Sequence, residues 1–134
     1  MASLSVPDVV SGWVLDVAAL VALVDRTVYG ATLVADAWQY GTTLMIPAGV
    51  FSATLGLRPD AGPTLDRLLD DPYTELADPA DAPAEELSKL AEHLAGDRNA
   101  AHLVWLGSTR QWPILSDRGD YLRRAVPDLL ILPA

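Results

Sequence analysis

The sequence predicts an α/β sandwich, a mainly parallel sheet with helices on both faces. Three observations carry that prediction. Short apolar segments of strand length alternate with segments of helix length along the chain. Hydrophobic residues make up 51% of the composition, enough to cover both faces of a sheet and too many for a disordered chain. Finally, Asp16 and Asp117 each directly follow a strand-like segment, where functional groups leave a parallel sheet. With 134 residues, a single domain over 13–134 with a loose lead-in at 1–12 is the simplest organisation.

The elements follow in order. "WVLD" (13–16) is short, apolar and β-prone, and "VAALVALVDRT" (17–27) is apolar nearly all round, a buried helix. "YGATLVADAWQYGTT" (29–43) reads as a second helix with Leu33, Ala37 and Tyr40 on one face and Gly41 as its stop. "LMI" (44–46) is a second strand, and Pro47 suits the first turn of a helix continuing through 48–57. "RPDAGP" is a loop, 64–71 a short helix, 73–77 a third strand, and "DPADAP" (78–83) a Pro/Asp-rich linker. Helices at 84–96 and 97–111, a strand at 113–116, a turn and short helix at 117–125 and a last strand at 128–133 complete the pattern.

Charge and composition bound the function. Nine Lys and Arg against eighteen Asp and Glu give a net charge of −9, which disfavours nucleic-acid binding by general electrostatics and suits a basic partner. A nucleic-acid role therefore needs metal ions or a local basic patch; Arg118, Arg123 and Arg124 are the candidate, with a solvated helix face as their plainer reading. There are no cysteines, hence no disulfides and no thiolate metal site, in keeping with a reducing compartment. The early apolar run has no Lys or Arg before it and is interrupted by Asp16. No stretch reaches the roughly 18 apolar residues of a membrane span, so a cytoplasmic protein is expected, with no membrane partner.

Three acids are the candidate chemistry. Asp16 and Asp117 follow strands and should emerge at one sheet edge. Asp97 opens a helix at helical spacing from Ala100, Ala101 and Val104, so it too can face inward. Carboxylates converging there could cage Mg²⁺ or Mn²⁺, hard cations that bridge phosphate oxygens and activate water against a phosphodiester. Each acid also has a plainer reading: helix caps for Asp16 and Asp97, a turn residue for Asp117. No phosphate-binding glycine loop, nucleophile elbow or paired histidine is present; His93 and His102 stand alone. The four tryptophans read as core or interface anchors.

With those residues assembled, the chain resembles the PIN domain, the fold of the VapC-like toxins of bacterial type II toxin–antitoxin modules. The matching segments are "WVLDVAALVAL", "LMIPAGVFSAT", "DRNAAHLVWLGSTRQWPILSDRGDYL" and "PDLLILPA", spanning residues 13 to 133. The resemblance implies a three-layer sandwich and a metal-dependent endoribonuclease. It assigns Asp16, Asp97 and Asp117 to the first, third and fourth acidic positions, and Ser116 to the hydroxyl before the fourth. The second acid, a Glu, would stand where this chain has Ala53, and no acid occurs from Gln39 to Pro59. Asp36 and Asp120 are the acids that could compensate.

Two functions from different classes follow. One is a toxin-like ribonuclease, or a weakly active descendant, with Mg²⁺ or Mn²⁺ on Asp16, Asp97 and Asp117 and RNA contacts from Arg118 and Arg123. The other is a catalytically degenerate binding or regulatory module, favoured by Ala53. An unrelated nucleotide-binding α/β domain is a third reading, but its glycine-rich turn is missing after "WVL". The resemblance and the apolar helices around Trp38 imply a homodimer, and the acidic balance suits a cognate antitoxin.

Overall fold

The computed structural model describes residues 12–134. Five strands, β1 (Gly12–Leu15), β2 (Thr43–Pro47), β3 (Thr74–Ala77), β4 (Ile114–Leu115) and β5 (Ile131–Leu132), form one all-parallel sheet in the order β3-β2-β1-β4-β5. Seven helices connect and cover them: α1 (Val17–Val24), α2 (Val28–Tyr40), α3 (Ala48–Leu57), α4 (Gly62–Leu69), α5 (Ala84–Glu92), α6 (Arg98–Arg110) and α7 (Gly119–Leu122).

Strand alternation builds the layers, because successive side chains on a strand point to opposite faces. Leu15, Leu44, Ile46 and Leu115 face a core with Leu20, Leu23, Leu33 and Leu65 from α1, α2 and α4. Their strand neighbours Val14, Met45 and Ile114 face the opposite core with Leu87, Ala91, Leu103 and Val104 from α5 and α6. Both faces of β1 and β2 are buried, which is why these strands read as continuous apolar runs rather than alternating ones.

Several boundaries differ from the sequence expectation. Gly12, placed in the lead-in, begins β1 opposite Thr43. A Cβ there would lie 2.4 Å from the Trp112 ring, so the indole packs directly on the backbone. The rest of the lead-in, 1–11, lies outside the described residues. The first helix stops at Val24 rather than reaching 27, because Thr27 caps α2 by accepting from the Gly30 N–H at 3.0 Å. Gly30 in turn abuts the Ala22 backbone, where a Cβ would meet the carbonyl oxygen at 2.3 Å. Tyr40 does not share the buried face of Leu33 and Ala37; it sits on the last turn of α2 and is 65% exposed. Pro47 closes β2 instead of opening the helix, and "RPDAGP" contains a single 3-10 turn, Pro59–Ala61. The last two strands are shorter than expected, two residues each.

The strand order positions the site. β1 is central: the chain leaves it towards β2 and β3, then returns to its other side for β4 and β5. The carboxyl ends of β1 and β4 therefore flank the switch in strand order, where a crevice opens in sheets of this kind.

Candidate functional site

The crevice is built from three strand-to-helix or loop-to-helix junctions. Asp16 follows β1 and caps α1, its Oδ1 accepting from the Val17 N–H at 2.8 Å. Asp97 caps α6 through Oδ1, which accepts from the Ala100 N–H at 3.0 Å. Asp117 stands between β4 and α7, exposed at the rim. With Ala53, Gly49 and Asn99, these three acids and Arg118 line one cavity of about 360 Å³. Gly49 lets the start of α3 approach the start of α6, since a Cβ there would lie 2.4 Å from the Asn99 amide oxygen.

Asp16 is only 1% exposed, and its charge is fully answered. Oδ2 accepts from the Ser116 hydroxyl and from Arg118 Nε, both at 2.7 Å. Oδ1 accepts from Arg118 Nη2 at 3.1 Å as well as from Val17. A carboxylate offers about four acceptor sites, and here four donors fill them. The Ser116 oxygen also accepts from the Arg118 N–H at 3.0 Å, fixing the turn that carries the guanidinium.

Arg118 spans the pocket. Its Nη1 lies 3.8 Å from Asp97 Oδ2, and its guanidinium sits over the Tyr121 ring, 5.7 Å from the centroid. Tyr121 is itself anchored by donating to the Leu94 carbonyl at 2.6 Å. Hydrogen bonding to Asp16 raises the Arg118 pKa against the opposing effect of burial, so this is a permanent cation.

The structure brings Asp16, Asp97, Asp117 and Ser116 together at one edge of the sheet. It does not bring the others. Asp36 lies on α2 and is not among the pocket residues; Asp120 is exposed on α7 beside an adjoining depression. Arg123 turns its fork onto the Leu129 and Ile131 carbonyls, at 3.3 and 3.5 Å, tying α7 to the approach to β5. Arg118 is turned into the pocket rather than out of it. Sequence reasoning missed this ion pair, since 102 residues separate its members, and it missed Asn99 altogether.

These residues do not fit a divalent ion. Asp16 has no free acceptor site, Asp97 spends Oδ1 on a helix N–H while its Oδ2 stands 3.8 Å from Arg118 Nη1, and position 53 contributes a methyl group. Among the described residues, no group of three or more His, Cys, Asp or Glu side chains is arranged to hold a metal ion.

A second surface lies on the other side of α1. A groove of about 590 Å³ runs between α1, α2 and α4, with Leu23, Val24, Val34 and Leu68 in its walls and Arg26, Arg67 and Asp71 on it. Overlapping its edge, α2 exposes Val28, Ala31, Ala35 and Trp38 at spacings of three and four, so they form one stripe, of which Ala31 and Ala35 also line the groove. No single helix among the described residues is long and apolar enough to cross a membrane, and the apolar pair α1 and α2 is bent by 91°.

No protein-family model matches the sequence, and no curated protein matches it significantly. Solved structures do match. One is a chain of VapBC2 from Rickettsia felis, crystallised with a DNA fragment from its promoter. It superposes with a TM-score of 0.68 over 92% of this chain and 98% of that one, at 14% identity. The three-layer arrangement, the parallel sheet and this likeness together establish a PIN-like α/β fold, shared with a component of VapBC2.

Proposed function

We propose that this chain is a toxin-like PIN-fold module that works by binding protein, with a carboxylate pocket that no longer hydrolyses RNA. The observation that carries this reading is the two-pronged contact of Arg118 with buried Asp16, opposite a methyl group at Ala53. An internal cation answers the charge that a catalytic metal would otherwise answer.

The apolar face of α2 supports the binding half of the reading. Val28 is 86% and Trp38 64% exposed, with small alanines between them, a shape that lets a second copy's helix approach closely. A homodimer across this stripe is the proposed assembly. The groove, mainly apolar with Arg26, Arg67 and Asp71 on it, suits a chiefly apolar segment of a cognate antitoxin.

The second reading is a metal-dependent endoribonuclease. It is favoured by one observation, that Asp16, Asp97 and Asp117 line a single cavity at the strand-order switch. An RNA-cleavage assay with MgCl₂ or MnCl₂ separates the two. The binding reading expects no cleavage above background from wild type. Metal-dependent cleavage that disappears in Asp16→Asn would overturn it and establish the nuclease.

A further inference from the structure

The pocket holds three carboxylates, Asp16, Asp97 and Asp117, and one guanidinium, and Asp16 is almost completely withdrawn from water. A buried ionised carboxylate without a counter-charge is costly, and a cation beside it offsets that cost. Arg118 comes from the same chain and reaches Asp16 with two nitrogens while its third approaches Asp97. Being tethered, it competes with any free ion at high effective concentration. It is also fixed from behind, by the Ser116 hydroxyl on its backbone and by the Tyr121 ring against its plane.

We propose that Arg118 is a built-in counter-ion that takes the position of a divalent metal, closing the pocket to free cations and joining the end of β1 to the end of β4. This deepens the non-hydrolytic reading above and rests on it. Arg118 is a positioning residue: it acts by holding Asp16 in place. Two consequences distinguish it from an ordinary surface ion pair. Its removal strands the Asp16 charge, and the stranded charge, in the wall of a cavity it shares with Asp97 and Asp117, then draws in a cation that wild type excludes, with the acids shifting to meet it.

The test is calorimetric titration of MnCl₂ into wild type, Arg118→Ala and Arg118→Lys, with thermal unfolding measured with and without the salt. Wild type is expected to take up no Mn²⁺ and to keep the same Tm. Arg118→Ala should lose roughly 10 °C in Tm, regain part of it as MnCl₂ is added, and bind the ion in a way that Asp16→Asn abolishes. Arg118→Lys, which keeps the charge without the fork, should exclude Mn²⁺ and fall between the two in Tm. If Arg118→Ala does not fold, Arg118→Gln is titrated in its place with the same expectation of Mn²⁺ uptake.

A charge-neutral Arg118 variant that binds no Mn²⁺ overturns the counter-ion role. It leaves the non-hydrolytic reading standing, provided wild type does not cleave RNA. Wild type that binds Mn²⁺ as well as Arg118→Ala, without cleaving RNA, has the same effect. Wild type that binds Mn²⁺ and cleaves RNA overturns both.

Discussion

The crevice at the strand-order switch and the exposed face of α2 are opposites in chemistry. In the crevice the demanding group, a buried carboxylate, has all four acceptor positions met from within the chain. On α2 the demanding groups are apolar: among the described residues Val28 is left largely uncovered, and Trp38 meets the Tyr73 ring edge-to-face while most of its surface stays exposed. A site whose charges are answered internally gains little from a ligand, whereas an exposed apolar stripe gains from any complementary surface. The difference locates unsatisfied binding energy on the helix rather than in the cavity that the fold would make the first suspect.

The largest effect expected on this contrast is at Arg118. Arg118→Ala leaves the Asp16 carboxylate buried and uncompensated, whereas Asp16→Asn leaves an arginine with 35% of its side chain already in solvent and free to turn outward. The first should cost about 3 kcal/mol of stability, at the low end for a broken buried pair because of that exposure. The second should cost about 1–2 kcal/mol, chiefly for weakened hydrogen bonds. Urea unfolding of both variants measures the asymmetry. Equal losses would show that Asp16 is not the desolvated partner, and the contrast between the two regions would collapse.

How far the sequence anticipates this arrangement can be argued residue by residue. Strand positions such as Val14, Leu15, Met45 and Ile46 are legible because they are buried on one face or the other, leaving uninterrupted apolar runs bounded by Gly, Pro and Asp. Asp16 and Asp97 are legible as caps from their places before helices, and the structure gives both that role. Asp16 is therefore a cap and also an ion-pair member, whereas the sequence weighs the cap against a metal ligand and offers no ion pair. What local pattern cannot show is the side chain that crosses from one junction to another. Arg118 follows an acid in a turn, where a solvated basic residue is the ordinary expectation, and its partner is 102 residues away. Tyr40 fails for the converse reason: helical periodicity places it on the buried face, but the core ends a turn before the helix does.

A smaller effect is expected from the one buried imidazole, which sharpens the contrast from a third direction. His102 on α6 is 2% exposed and stacked on Trp105, and its Nε2 has no hydrogen-bond partner. Burial lowers its pKa from 6.5, while the negative charges of Asp78 and Asp81 oppose that shift without cancelling it. The native state therefore resists a proton that the unfolded chain accepts below its ordinary value. Stability from this residue is full above about pH 6.5 and is lost as pH falls towards the lowered native value. Thermal unfolding between pH 7 and 5 should show a steeper decline for wild type than for His102→Leu. The Arg118 charge does not titrate in this range, so identical slopes would remove His102 as the source of the pH dependence.

The smallest effect on stability, and the most direct probe of the exposed face, is expected at Ala35. It lies in the middle of the α2 stripe, exposed, between Ala31 and Trp38. Glu is a good helix former, so Ala35→Glu at a solvent-facing position should change unfolding free energy by no more than about 0.5 kcal/mol. In a symmetric pairing of the two stripes, however, the substitution brings like charges together at the point of closest approach, where the small side chains otherwise let the helices meet. Light scattering should accordingly report a dimer for wild type and a monomer for Ala35→Glu, with superimposable circular dichroism spectra. A wild type that is monomeric at every accessible concentration removes the second copy as the occupant of this face. The groove that shares Ala31 and Ala35 with it, walled by Leu23, Val34 and Leu68 and carrying Arg26, Arg67 and Asp71, then remains as the surface for a partner of different sequence.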